Sequence, residues 1–119
     1  MKALILAVVL GLFALGDLEQ KEEARVHISE TLGNSLVAHR VQPVCPDACR
    51  LCEHAEVKLK LLVTKSGTVK RVTPLSGDWR LAQAAIDAVE QWRYELHALH
   101  GAPVEYETYT TVKSWLCRG

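Results

Sequence analysis

Cys45, Cys49 and Cys52 form the densest set of chemically capable side chains in the chain, with the spacing C-x3-C-x2-C. In large barrel enzymes that spacing holds an iron–sulfur cluster with one iron open to S-adenosylmethionine. Such a barrel takes roughly 200 residues or more, and this chain has 119. Cys49-Arg50-Leu51-Cys52 is also a C-x-x-C step. Haem attachment needs His directly after it, but Glu53 stands there, ahead of His54. A thioredoxin-like pair needs a βαβ setting and a helix N-terminus to lower the thiol pKa. The three thiols with His54 also match the donor types of a structural zinc site. In an exported chain the ordinary fate of Cys45, Cys49, Cys52 and Cys117 is structural disulfides, and the pairing is open. If Cys117 bonds back to the cluster, the closed loop holds roughly 65 residues and stabilises by roughly 4 kcal/mol.

The other reactive side chains do not assemble. His97 and His100 lie in a connection beside Gly101, while His27 and His39 are isolated. No Ser/His/Asp arrangement has local support and no Gly-rich phosphate loop follows a strand. The carboxylates fall on wet faces. The sequence therefore predicts neither an enzyme nor a cofactor, and it assigns no metal site. Trp92-Arg93-Tyr94 is the remaining signature. Trp92 and Tyr94 close a core, and Arg93 complements the negative end of a helix dipole.

The length allows one domain. Basic and acidic residues balance and the formal charge is zero, which leaves no electrostatic footprint for nucleic acid. Lys2, an apolar run over 3–15 and Ala14-Leu15-Gly16 before Asp17 read as a signal peptide over residues 1–16. The run is shorter than the roughly 20 residues of a spanning helix. An uncleaved anchor is the alternative, and it confines membrane contact to residues 1–16. Residues 17–42 read as an N-terminal extension with short strands, and 43–119 as the domain proper.

These side chains need elements to position them. Val26 and Ile28 alternate with polar neighbours, Gly33-Asn34 breaks the chain, and 35–41 reads as a second short strand. Asp47 is an expected N-cap for a short helix over 48–54. Val57, Leu59, Leu61 and Val63 alternate with Lys58, Lys60, Leu62 and Thr64, a half-buried strand with one wet face. Lys65-Ser66-Gly67 turns the chain. The three-residue step from Val69 to Val72 predicts a bulge near Lys70-Arg71, and Pro74 is expected to end the pairing. Asp78 opens a helix on which Leu81, Ala85, Ala88, Val89 and Trp92 share a face. Pro103 opens a last strand over 104–112, with Val104, Tyr106, Thr108, Thr110 and Val112 on one face.

The runs E-V-K-L-K-L-L-V-T-K-S-G-T-V, S-G-D-W-R-L-A-Q-A-A-I-D-A-V-E-Q-W-R-Y-E and G-A-P-V-E-Y-E-T resemble the TonB C-terminal domain family, most densely over 56–112. Cys45 stands where the family usually has Tyr, Leu96 where it usually has Pro, and Ala55 where a Gly is usual. The resemblance implies an α+β fold. A three-stranded antiparallel sheet packs against a main helix, with a short N-terminal helix beside it and Leu59, Leu61, Val63, Leu81, Ala85, Val89, Trp92 and Tyr94 in the core. It implies a periplasmic interaction module, exported or anchored in the inner membrane. That module binds a peptide of an outer-membrane receptor or another envelope protein by strand addition. The edge it implies is the last strand, through Val104, Tyr106, Thr108, Tyr109, Thr110 and Val112, with Tyr106 or Tyr109 adding specificity. The same edge suits a homodimer. The rival expectation is an exported protein whose Cys45/Cys49/Cys52 cluster is redox-active or binds metal.

Overall fold

The computed structural model describes residues 26–46 and 50–117. The expected signal segment over 1–16, the charged stretch after it, Asp47 and Cys49 lie outside the described residues.

The elements run α1 (Glu30–Ser35), β1 (Val37–His39), β2 (Val57–Val63), β3 (Val69–Ser76), α2 (Trp79–Val89), β4 (Arg93–Tyr94), β5 (Ala98–Leu99), β6 (Ala102–Pro103) and β7 (Tyr106–Val112). The central sheet has the antiparallel order β3-β2-β7. β2 pairs with β7 without a break, from Val57 opposite Val112 to Val63 opposite Tyr106. That register puts Val57, Leu59, Leu61 and Val63 on one face with Tyr106, Thr108, Thr110 and Val112, because side chains alternate strictly along a strand. All eight are buried.

α2 covers this face. Asp78 caps it by accepting from the Arg80 backbone N–H at 2.9 Å, and Leu81, Ala85, Ala88 and Val89 turn inward. The alanines let the helix lie close to the sheet. Leu59 and Leu61 are fully buried beneath it, each worth about 2 kcal/mol of transfer free energy. The helix stops at Val89, and a turn carries the chain to Trp92, whose N–H donates to the Val89 carbonyl at 3.0 Å. Trp92 is buried, and its indole N–H donates to the Val41 carbonyl at 2.8 Å. Arg93 Nη1 donates to the Trp92 carbonyl at 2.9 Å, beside the helix end.

Residues 26–42 share this core. Ile28 is buried, Leu36, Val37 and Val41 pack against it, and β1 pairs with β4. Gly33-Asn34 does not break the chain. Both lie inside α1, which Ser29 caps by accepting from the Leu32 N–H at 3.1 Å. The strand expected over 35–41 shrinks to β1. Residues 50–54 form turns in place of the expected helix.

Three strand details also depart from expectation. β3 continues through Pro74 to Ser76. Leu62, expected on the wet face, is buried between its register partners Arg71 and Glu107. The last strand starts at Tyr106, because Ala102–Pro103 pairs with Ala98–Leu99 in a hairpin turning at His100 and Gly101, leaving Val104 outside the strand. The expected bulge is present: Leu62 faces Arg71 and Val63 faces Val69, so Lys70 is the extra residue. Gly67 takes φ 88° in the β2–β3 turn. A methyl group there would run into the Tyr94 carbonyl.

Candidate functional site

A sheet offers a partner its edges, and here these are β3 and β7. Which backbone groups face outward follows from one pair of hydrogen bonds. The Glu107 N–H donates to the Val26 carbonyl at 2.8 Å, and the Ile28 N–H donates to the Glu107 carbonyl at 2.9 Å. Glu107 therefore points away from β2. Backbone groups alternate in direction along a strand, so Tyr109 and Thr111 also point outward, while Tyr106, Thr108, Thr110 and Val112 point at β2. Carried across β2, the same alternation turns Pro74 and Val72 of β3 outward.

The two edges differ in what they offer. On β3 the rim contains Pro74, which has no N–H to give, a bulge at Lys70, and the exposed cations Lys70 and Arg71. Proline, bulges and exposed charge are the means by which edges resist pairing. On β7 the rim pairs with residues 26–28 in a parallel bridge centred on His27 and Glu107. Farther along, residue 44 bridges Leu116, with the Cys45 N–H donating to the Leu116 carbonyl at 2.8 Å and the Leu116 N–H to the Pro43 carbonyl at 2.7 Å. Between the two bridges lie the outward groups of Tyr109 and Thr111.

α1 lies alongside β7 and grips it. Thr108 Oγ1 donates to the Ser29 carbonyl at 3.1 Å, Thr110 Oγ1 to Asn34 Oδ1 at 3.1 Å and Thr111 Oγ1 to Glu30 Oε2 at 2.7 Å. Past the helix, a groove of about 450 Å³ opens between Arg40–Pro43 and the end of β7, lined by Trp92, Thr111, Val112 and Lys113. The Arg40 guanidinium sits 4.8 Å from the centre of the Trp92 ring. On the wet face Glu107 meets His27 Nδ1 at 2.8 Å and Lys60 Nζ at 3.6 Å, and Lys58 Nζ stands 5.7 Å from the Tyr109 ring centre.

The six residues expected at the edge therefore divide. Tyr109 is part-exposed with its backbone facing out, and Val104 is part-exposed but precedes the strand. Tyr106, Thr108, Thr110 and Val112 have buried side chains and backbones committed to β2. Tyr106 is 0% exposed, with its hydroxyl donating to the Glu95 carbonyl at 3.1 Å. Burial, and then the Glu95 charge, push its phenol up to about 12, and the fully buried ring has no surface to lend to specificity. Glu107 and Thr111 supply outward backbone that the side-chain pattern did not single out. Hydrophobic alternation reports which face a side chain takes, and the direction of the backbone groups is a separate property.

The family model described as Gram-negative bacterial TonB protein C-terminal matches residues 46–113, more than half of the chain. The chain belongs to this family. Its fold is similar to the solution NMR structure of the Pseudomonas aeruginosa TonB CTD, with a TM-score of 0.52 and 16% identity over 70% of this chain and 87% of that one. No curated protein matches the chain.

This TonB C-terminal domain carries a disulfide in the stretch that leads into β2. Cys45 and Cys52 are bonded to each other and buried. Cys52 is thus not paired within the C-x-x-C step, and its sulfur and that of Cys45 are not thiolates available to a metal. Cys117 is disulfide-bonded as well. Trp115, outside the expected core, joins it here and donates its indole N–H to the Ala55 carbonyl at 3.2 Å. Among the described residues no group of three or more His, Cys, Asp or Glu is placed to hold a metal ion.

Proposed function

We propose that this protein is a periplasmic protein–protein interaction module of the TonB C-terminal type. It captures an extended peptide of an outer-membrane receptor or another envelope protein as an added strand on the outer rim of β7, and serves energy-coupled transport across the envelope. One observation carries the reading: Glu107 gives both of its outward backbone groups to a short extended segment, so this rim has the geometry for strand addition. Main-chain hydrogen bonds would supply affinity, and alternate side chains would supply selectivity. Tyr109 is the side chain best placed for the second task, because its ring stands on the wet face beside Lys58.

The test separates backbone from side chain. Tyr109→Pro deletes an outward N–H and leaves the bonds to β2 intact, whereas Tyr109→Ala keeps the N–H and removes the ring. The full chain and both variants, each checked for a native unfolding transition, are used to capture proteins from an envelope extract. Strand addition predicts that Tyr109→Ala, without the ring, captures the same proteins more weakly and that Tyr109→Pro loses them. Retention of the same proteins by all three would place the binding surface elsewhere.

A further inference from the structure

Residues 26–28 occupy the outer rim of β7 as a strand would. They run parallel to it and pair through Glu107, and His27 Nδ1 reaches the Glu107 carboxylate at 2.8 Å. Ile28 tucks into the core cluster. The segment does not continue as a fourth strand, because Ser29 caps α1 and the chain turns away. Its own backbone is thus tied to β7 through Glu107 alone, whereas β2 is tied along its whole length, and the grip of Ser29, Glu30 and Asn34 on β7 lies beyond it.

Resting on strand addition at β7, we propose that residues 26–28 are a built-in competitor strand: a partner peptide gains the Glu107 end of the rim by displacing them. The segment also displays the chemistry its rival has to match. That is a parallel backbone, a hydrogen-bond-donating side chain opposite the Glu107 carboxylate, and an apolar side chain in the next position to replace Ile28. A ligand that needs a minor open state binds more weakly by the fraction of time that state is populated. Freeing the rim should therefore tighten capture without any new contact.

The probe is a synthetic peptide copying residues 25–31, titrated into the isotope-labelled full chain while backbone amide shifts are followed. Ile28→Pro removes the N–H that donates to Glu107 and leaves the β7 ladder untouched. The proposal predicts that Ile28→Pro binds the peptide at least about tenfold more tightly than wild type, with shifts centred on Glu107 and Tyr109. Equal affinity at those same amides would overturn the competition and leave strand addition standing. No shift along β7 in either protein would overturn both. Amide exchange in the wild-type chain guards against a misfolded variant. Ile28 and Glu107 should exchange together, at least about tenfold faster than Thr108 and Thr110, whose amides face β2. Exchange as slow as at those two positions would make the segment a permanent part of the fold and overturn the proposal.

Discussion

Gly33 lies against the side chain of Thr108, so close that a methyl group on Gly33 would run into its hydroxyl and both of its carbons. The contact seats α1 on β7. It also lets Thr108 Oγ1 reach the Ser29 carbonyl at the start of the helix.

Two effects oppose each other in Gly33→Ala. Alanine favours a helix over glycine by about 1 kcal/mol, whereas overpacking a closed contact costs about 1–3 kcal/mol. The rigid β-branched neighbour has little room to move, so the clash wins, and a net loss on the order of 1 kcal/mol is expected in urea unfolding. A variant more stable than wild type would show that α1 does not press on β7.

Trp92 joins the end of α2 to the residue-41 segment by packing and by its indole hydrogen bond to Val41. Trp92→Ala should lower stability by about 3–5 kcal/mol. Trp92→Phe keeps most of the ring but orphans the Val41 carbonyl, at about 1–3 kcal/mol. Thermal unfolding of the two variants ranks them. Equal stability of Trp92→Phe and wild type would remove the hydrogen bond from the account.

The Cys45–Cys52 bond closes a short loop, with a sequence separation of 7. In the chain-entropy model such a loop stabilises by about 2.5 kcal/mol, less than a bond spanning the domain. Peptide mapping without reduction should recover the residue-45 and residue-52 peptides joined. A Cys45→Ser, Cys52→Ser double variant should remain folded with a lower Tm. A link from Cys52 to Cys49 would contradict the structure and revive the C-x-x-C reading.

Tyr94 and Tyr106 meet edge to face, with ring centroids 6.2 Å apart. Burial raises the phenol of Tyr94, and neighbouring Tyr106 raises it further. Tyr106 is itself pushed up to about 12. Both folded values lie above the ordinary 10.0. Their contribution to stability is thus whole below pH 10 and falls as the unfolded chain ionises at higher pH. Absorbance of phenolate should lag the unperturbed curve until the protein unfolds. In Tyr94→Phe, which deletes a buried hydroxyl with no hydrogen-bond partner among the described residues, stability at neutral pH should be unchanged or slightly higher. A loss above about 1 kcal/mol would mean that the hydroxyl is paired.

The parts of the fold legible in the sequence were those where one periodicity ran unopposed. Val57, Leu59, Leu61 and Val63 announced β2, and Leu81, Ala85, Ala88 and Val89 announced the buried stripe of α2. Where a residue had two roles, local signals misled. Gly33 read as a breaker because its reason for being glycine is Thr108, distant in sequence. Ser29 followed by Glu30 was the available cue for a helix start, a cap residue with an acid in the first turn. Pro74 read as a stop, yet a missing N–H on an outer rim disturbs no ladder bond. At the edge itself, the family resemblance pointed to the last strand, but four of the six residues it implied, Tyr106, Thr108, Thr110 and Val112, face β2. Direction becomes readable only when a partner, here residues 26–28, marks one backbone group as outward.

Site-specific photo-crosslinking in intact cells tests the binding edge most directly. A benzophenone side chain replaces Tyr109 on the rim of β7 in one strain and Arg71 on β3 in another. Strand addition at β7 predicts that the residue-109 probe crosslinks to an extended segment of another envelope protein and that the residue-71 probe does not. Crosslinks from residue 71 with none from residue 109 would contradict it.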